Sequence, residues 1–328
     1  MNTIIKSEQF PNSYPELFKR YKNNPVIKAT DLPYPAHTVF NPGVTIINKS
    51  ILLLARVEDR QGFSHLLRAT SSDGVSNWRF DNSPTLKREP DIFPEERWGI
   101  EDPRITWMQD LNKYAIVYTS FSRTGPLISL ALTEDFVTFE KQGSITSPDD
   151  KDGALFPRKF NDKYLLIHRP SSEGHRAHIW ISSSSDMKSW GEHQILLNAR
   201  HGGCWDANKI GLSAPPLETP DGWLILYHGV KSTAAGAIYR LGLALLDLNN
   251  PTIVLRRSKE WIFGPESDCE KFGDVSDVVF PCGWVIDDKT DLVIMYYGGA
   301  DSCICLATAK LSELLYYINH CPNYKEDD

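Results

Sequence analysis

The sequence predicts an all-β fold, a five-bladed β-propeller with short terminal helices, in which residues 1–328 form a single domain. Three observations lead to this prediction. The chain is rich in residues that favour strands, with nine Trp, 13 Tyr and 14 Phe. Short apolar runs alternate with turn residues, and this alternation repeats five times with a period of roughly fifty to sixty residues.

Each repeat contains two strand-like runs. The paired runs are 41–47 with 51–56, 102–107 with 114–118, 154–157 with 164–169, 213–216 with 223–228, and 278–281 with 292–297. Polar residues such as Asn48-Lys49 and Asn161-Asp162 separate the runs of a pair, which is typical of β-hairpins. A third run follows, for example at 127–132 and 178–182.

Repeats of this kind suit a propeller, whose blades are small antiparallel sheets around a channel. One blade cannot bury both of its faces alone, whereas a closed ring buries each face against a neighbour. A pair of β-sheets packed as a sandwich is the alternative. Residues 14–21 and 311–318 are predicted to form the terminal helices.

Composition limits the function classes. The net charge of −7 argues against nucleic-acid and anionic-membrane binding, both of which need a basic face. No signal peptide opens the sequence, and no apolar run approaches the ~20 residues of a membrane span, so we expect a cytoplasmic protein. Loops or terminal helices could join copies of the chain into a homo-oligomer.

The six cysteines and nine histidines have no spacing typical of a metal site. The cysteines are Cys204, Cys269, Cys282, Cys303, Cys305 and Cys321. We expect buried free thiols and no metal, because a free Cys packs like a small apolar residue.

Five residues recur at comparable places near the start of each repeat: Asn41, Asp102, Lys151, Gly211 and Asp277. In a propeller the first strand of each blade faces the channel, so these residues can converge although they are distant in sequence. Bulges in the strands would shift this correspondence.

Asp102 is the first candidate for chemistry. Pro103 biases it toward an extended conformation at a strand start, where it can point into a cavity. The alternatives are an Asp turn and a salt bridge with Arg104. Asp301 follows Gly298-Gly299, and it is either a sugar-binding acid or a turn residue at a strand end.

Arg56 precedes the acidic pair Glu58-Asp59 and has a similar place in the first repeat. These residues either contact the substrate or form a charged hairpin exposed to solvent.

Four scattered side chains could hold phosphate: Lys151, Arg169, Lys209 and His228. Arg binds phosphate through a planar fork and Lys as a point charge. Each could instead be a surface residue, and His228 could be a hydrogen-bonded core histidine. No glycine-rich phosphate loop is present, which argues against nucleotide chemistry.

Several blocks carry a family resemblance in their order and spacing. They are Gly-Ile-Glu-Asp-Pro-Arg at 99–104, Gly-Ala-Leu-Phe-Pro-Arg-Lys at 153–159, His-Arg-Pro-Ser at 168–171, Lys-Ile-Gly at 209–211, Gly-Trp-Leu-Ile-Leu-Tyr-His-Gly-Val at 222–230, Ala-Leu-Leu-Asp-Leu at 244–248 and Tyr-Tyr-Gly-Gly-Ala-Asp at 296–301. Through them the chain resembles the mannoside phosphorylases of glycoside hydrolase family 130, over about residues 40–308.

The resemblance implies a five-bladed propeller in which Asp102 is the catalytic acid. It places the phosphate ligands on Lys151, Arg169, Lys209, His228 and Tyr239. It places sugar contacts on Asn41, Arg56, Asp59 and Asp301. Lys151 departs from the family pattern, which has Arg there, so the charge is kept and the bidentate fork is lost.

The implied reaction is reversible phosphorolysis of a terminal β-mannosyl residue in a disaccharide or oligosaccharide, with inversion to α-D-mannose 1-phosphate. Inorganic phosphate is the co-substrate, and no metal or organic cofactor is needed. Phosphate is already a nucleophile, so the second carboxylate that activates water in an inverting hydrolase is not required. The resemblance also implies that the acid acts through the 3-hydroxyl of mannose.

The sequence leaves three alternatives open. One is a β-mannoside hydrolase on the same fold, and another is a carbohydrate-binding propeller without catalysis. The third is a furanosidase-type propeller that uses three carboxylates, for which Asp102, Asp277 and Asp301 would be the candidates.

Overall fold

The computed structural model describes residues 16–171, 176–234, 236–287 and 289–325, and these residues are predominantly β-structure. Two short strands open the described chain, β1 (Lys19–Arg20) and β2 (Ile27–Lys28). Five successive antiparallel meanders follow, with first strands β3 (Thr38–Ile47), β7 (Gly99–Met108), β11 (Asp150–Leu155), β15 (Lys209–Leu212) and β20 (Val279–Asp287).

The remaining strands complete these meanders. They are β4 (Ser50–Glu58), β5 (Ser64–Ser71), β6 (Arg79–Phe80), β8 (Lys113–Ser122), β9 (Gly125–Thr133), β10 (Glu140–Ser144), β12 (Tyr164–Pro170), β13 (Ile179–Ser184), β14 (Gly191–Leu197), β16 (Leu217–Thr219), β17 (Gly222–Thr233), β18 (Gly236–Leu246), β19 (Val254–Arg257), β21 (Leu292–Gly299) and β22 (Cys303–Lys310). A parallel pairing of Ser64 with Gly99 joins the first two meanders into one eight-stranded sheet. The described strands therefore form four sheets.

Helices are few, as predicted. The described residues contain α1 (Asp268–Lys271), α2 (Leu311–His320) and two short 3-10 helices, Ala29–Asp31 and Pro94–Glu96. The nearly all-β class and the C-terminal helix are confirmed. No helix among the described residues is long and apolar enough to cross a membrane.

The predicted helix at 14–21 is wrong for residues 16–21, and residues 14 and 15 lie outside the described range. Lys19 and Arg20 extend the last sheet instead, pairing with Thr308 and Ala307 of β22. This tertiary pairing outweighs the local preference of the segment, because an edge strand satisfies backbone groups that β22 would otherwise expose.

Apolar side chains fill the space between consecutive meanders. Five buried clusters do this, represented by the pairs Leu54 with Ile116, Leu130 with Leu166, Ile167 with Ile225, Leu243 with Met295, and Leu53 with Tyr296. The last of these pairs joins the fifth meander to the first. Strand β3 also contacts both β20 and β7, and β11 contacts β7 and β15.

Bulges interrupt three of the first strands at matching places. The register shifts across Asn41, Asp102 and Asp152, and each of these residues has a positive φ, of 45°, 51° and 59° respectively. A bulge carries an extra residue and redirects its side chain. In the third meander the matching residue is therefore Asp152, and the predicted correspondence at Lys151 is wrong by one position.

Candidate active site

Asp102 lies at the bulge of β7 and is 9% exposed. Its Oδ1 accepts hydrogen bonds from Asn41 Nδ2 at 2.9 Å and from Arg56 Nη1 at 3.2 Å. The alternative of a salt bridge with Arg104 is wrong, because Arg104 Nη1 donates to the main-chain oxygen of Asp102 and its Nη2 pairs with Asp152. One carboxylate oxygen of Asp102 is thus fixed by two neighbours from the first meander.

Arg56, at the end of β4, organises the acids around Asp102. Its Nη2 lies 3.1 Å from Glu101 Oε1, and its guanidinium stacks over Phe40 at 4.5 Å from the ring centre. Burial opposes the charge of Arg56, but Glu101, Asp102 and Asp301 outweigh burial and raise its pKa. The guanidinium is therefore a permanent cation among three carboxyl groups.

Asp301 lies in the turn between β21 and β22 with a φ of 50°. Burial and the neighbouring Asp102 raise its pKa to about 7, although Arg56 acts in the opposite direction. Burial also raises the pKa of Glu101, again opposed by Arg56. Asp301 is therefore partly protonated near neutral pH.

Gly298 lets this turn approach the first meander. A Cβ at residue 298 would lie 2.0 Å from Asn41 Oδ1, so no larger residue fits without moving Asn41. The predicted close backbone approach at Gly298-Gly299 is confirmed, and it keeps Asn41 against Asp102.

Three of the predicted phosphate ligands line one cavity of about 570 Å³: Lys151, Arg169 and Lys209. The cavity is also lined by Pro126, Asp149, Ser171, Arg176, Ala177, Asn208 and Ser232. Within the described part of the chain, Arg169 uses Nε for Asp152 at 2.7 Å and Nη1 for Ser171 Oγ at 2.9 Å, and its Nη2 has no hydrogen-bond partner. That nitrogen remains available to an anion in the cavity.

Asp152 is the residue that sequence reasoning missed. It is 1% exposed, and its Oδ2 lies 2.7 Å from Arg169 Nε and 3.5 Å from His228 Nε2, while Oδ1 lies 3.3 Å from Arg104 Nη2. Burial opposes its ionisation, but the guanidinium groups of Arg169 and Arg104 hold its pKa well below the usual range. Asp152 therefore acts as the fixed anion that positions the cations. Asp152-Gly153 occupies the same position in β11 as Asp102-Pro103 in β7, and this match could have identified Asp152 from the sequence.

His228 and Tyr239 are neighbours of Lys209. The Lys209 Nζ is 5.5 Å from the Tyr239 ring centre, and the rings of His228 and Tyr239 are 6.0 Å apart. Burial and Arg169 lower the pKa of Lys209, and burial lowers the pKa of His228 to about 3. His228 is therefore a neutral, buried hydrogen-bonding residue, which resembles the core-histidine alternative.

Arg104 connects the two groups of residues. It is 1% exposed, it contacts both Asp102 and Asp152, and its Nε and Nη2 donate to the main-chain oxygens of Ser213 and Leu212. One buried guanidinium thus ties the Asp102 bulge, the Asp152 bulge and the fourth meander together. The acid group and the cationic cavity therefore belong to one region.

Asp59 has a different environment. Its Oδ1 accepts hydrogen bonds from the amides of Gln61 and Phe63 in the turn between β4 and β5. These bonds show that Asp59 stabilises the turn of a hairpin, in agreement with the charged-hairpin alternative.

One group of described residues has side chains placed to hold a metal: Cys269, Cys303 and Cys305. It lies outside the cationic cavity and was missed by the spacing argument, because Cys269 is remote in sequence from the other two.

Comparison with known proteins identifies the family of this chain. Residues 12–320 match the family model described as β-1,4-mannooligosaccharide phosphorylase. The chain belongs to glycoside hydrolase family 130. The resemblance inferred from the sequence blocks is therefore confirmed.

Three relatives of this family 130 protein are informative. A β-1,2-mannobiose phosphorylase from Listeria innocua is 34% identical over 91% of this chain and 98% of that protein. A β-1,4-mannooligosaccharide phosphorylase from Ruminococcus albus is 32% identical over 94% of this chain and 92% of that protein. The structure of the Listeria innocua β-1,2-mannobiose phosphorylase with β-1,2-mannobiose has a TM-score of 0.82 and 34% identity, covering 92% of this chain and 99% of that one.

Proposed function

We propose that this family 130 protein is an inverting β-mannoside phosphorylase, which transfers a terminal β-mannosyl residue to inorganic phosphate and releases α-D-mannose 1-phosphate. The observation that carries the proposal is the cavity lined by Lys151, Arg169 and Lys209, which Arg104 and Asp152 connect to Asp102. The names of the Listeria innocua and Ruminococcus albus relatives support the same reaction.

Phosphate is held by the cationic side of the site. Arg169 Nη2 donates to a phosphate oxygen while Asp152 and Ser171 fix the rest of the guanidinium. Lys151 and Lys209 add point charges, and Lys151 supplies charge where the family has the fork of an Arg. Because Arg169 is buried and both lysines are partly buried, these charges bind an anion more strongly than exposed ones do.

The sugar is held by the acidic side of the site. Asn41 and Arg56 occupy Oδ1 of Asp102, whereas Oδ2 accepts no hydrogen bond from the described residues and can serve the mannosyl residue. In this family the acid is inferred to act through the 3-hydroxyl, and Asp102 takes that role here. Arg56 and Asp301 lie beside it and bind sugar hydroxyls.

The five-bladed arrangement is part of the proposal. Five apolar clusters lie between consecutive meanders, and one of them lies between the fifth and the first, which supports a closed ring. The first strands then face a common channel, and this accounts for the convergence of Asn41, Asp102 and Asp152. The cytoplasmic location and the absence of a cofactor remain predictions.

A β-mannoside hydrolase is the second candidate. It is favoured by similarity to a solved structure from work on family 130 glycoside hydrolases that target β-1,2-mannosidic linkages in Candida mannan. That structure has a TM-score of 0.78 and 26% identity, and the match covers 90% of this chain and 96% of that one. The cationic cavity argues for phosphate, since three converging cations suit an anionic nucleophile, whereas a water nucleophile in an inverting hydrolase is activated by a carboxylate base.

The test is to incubate the protein with β-1,2- and β-1,4-mannobiose, with and without phosphate. The proposal expects sugar consumption to require phosphate and to match phosphate consumption mole for mole. Equal cleavage rates with and without phosphate would identify a hydrolase, and binding without cleavage of either sugar would identify a carbohydrate-binding protein.

A further inference from the structure

Three cysteines converge beside the turn that carries Asp301. Cys303 and Cys305 lie two residues apart on β22, so their side chains share one face of the strand. Cys269 reaches them from α1, with its Sγ 3.6 Å from Cys305 Sγ, and Cys303 Sγ is 3.9 Å from Cys305 Sγ. All three sulfur atoms lie within 4.8 Å of one another.

These separations match the sulfur positions around one metal ion. A tetrahedral ion with metal–sulfur bonds of about 2.3 Å separates neighbouring sulfur ligands by about 3.8 Å. A disulfide would bring two of the sulfurs to about 2.05 Å and leave the third apart. Two of the observed sulfur separations lie close to the tetrahedral value and the third pair lies within 4.8 Å, so one ion could contact all three sulfur atoms.

The chemistry of the cluster also fits a thiophilic ion. Ser267 Oγ lies 3.3 Å from Cys269 Sγ and offers an oxygen for a fourth position. Cys269 is partly exposed whereas Cys303 and Cys305 are buried, so an ion can enter beside Cys269 and be enclosed.

We propose that Cys269, Cys303 and Cys305 form a structural site for one soft, closed-shell metal ion, with Zn²⁺ as the expected occupant. Soft thiolate ligands select Zn²⁺ or Cu⁺ over Mg²⁺, Ca²⁺ and Mn²⁺. Binding displaces the thiol protons and forms metal–sulfur bonds without any change of oxidation state, so no oxidant or reductant is involved.

The site would fasten α1 to the substrate side of the fold. Val278 N donates to Glu270 O of α1, Ala300 N donates to Val278 O, and Val275 N donates to Ala300 O. Ala300 precedes Asp301, so an ion that joins α1 to β22 also restrains the turn that presents Asp301. The proposal concerns structure and does not depend on the phosphorylase reaction.

The experiment titrates reduced, chelator-treated protein with Cd²⁺, a spectroscopic substitute for Zn²⁺, and follows the ultraviolet thiolate-to-metal absorption. We expect one equivalent to bind to the wild-type protein, and Cys269→Ser and Cys305→Ser to abolish stoichiometric binding. Cys321→Ser removes a buried thiol outside the cluster and should bind as the wild type does.

A second measurement uses only the wild-type protein. With Zn²⁺ bound, Cys269 should be protected from alkylation in a peptide map, while the exposed Cys204 should react equally with and without the ion. Zn²⁺ should also raise the Tm. Absence of the thiolate absorption, undiminished binding to Cys305→Ser, or unchanged alkylation of Cys269 would overturn the proposal.

Discussion

Replacing Lys209 with Met isolates the role of charge in the proposed phosphate site. In the described part of the structure the ammonium group of Lys209 forms no salt bridge, and it lies 5.5 Å from the centre of the Tyr239 ring. Removing it therefore leaves no buried acid without a partner. Burial and Arg169 lower the pKa of Lys209, which means that the folded protein holds this charge at a cost. We expect Lys209→Met to keep or slightly raise the Tm.

The effect on phosphate should be large by comparison. A hydrogen bond to a charged group contributes about 1.5–3 kcal/mol. At 1.4 kcal/mol per factor of ten, its loss corresponds to a rise of about 10- to 150-fold in the KM for phosphate. The KM for the mannoside should change little, because Lys209 lies on the cationic side of the site and the sugar is held near Asp102.

The assay measures initial rates against phosphate concentration at saturating mannobiose, with thermal unfolding of the same samples. Lys19→Met is the matched control, since Lys19 is exposed on β1 and should leave both quantities unchanged. A phosphate KM within twofold of the wild-type value in Lys209→Met, with normal unfolding, would refute the assignment of the cavity.

Three further predictions concern the acidic side. Asp102→Asn keeps the shape but removes the acid, so kcat should fall about 10²- to 10⁴-fold with an unchanged circular dichroism spectrum; full activity would exclude Asp102 as the acid. Asp301 has a folded-state pKa of about 7, raised by burial, Asp102, Glu101 and Asp274 against Arg56. The folded state thus binds the extra proton, and the free energy of unfolding should fall by at most about 4 kcal/mol as pH rises from about 4 to 7. Denaturant titrations across this range should lose that slope in Asp301→Asn, and an identical slope would contradict the assignment. Gly298→Ala should push Asn41 away from Asp102, which should lower the free energy of unfolding by about 1–3 kcal/mol and also lower kcat. Unchanged kinetics and unfolding would show that the turn can move to accommodate the added methyl group.

The sequence predicted the class of fold well because its signals are local. The alternation of strand-like runs and polar turns lies within each hairpin, and the observed strands lie close to the predicted runs. The prediction of a helix at 14–21 is wrong for the described residues because Lys19 and Arg20 pair with β22, which lies almost 300 residues further along the chain. Pairing with a distant strand leaves no mark on the local pattern.

The site was predictable in its residue types and less so in its detail. Lys151, Arg169 and Lys209 do share a cavity, yet Asp152, which positions Arg169, was passed over in favour of its neighbour. The reason is the bulge in β11, which moves the inward-facing position by one residue. Convergence of Cys269 with β22 was likewise invisible to spacing rules, since it depends on how α1 packs on the last sheet.

Nuclear magnetic resonance of the reaction as it proceeds shows whether phosphate or water accepts the mannosyl residue. With a β-mannobiose and inorganic phosphate, we expect α-mannose 1-phosphate as the first mannosyl product, with a new phosphate-ester signal growing as the substrate is consumed. Free mannose as the first product, with the inorganic phosphate signal unchanged, would contradict it.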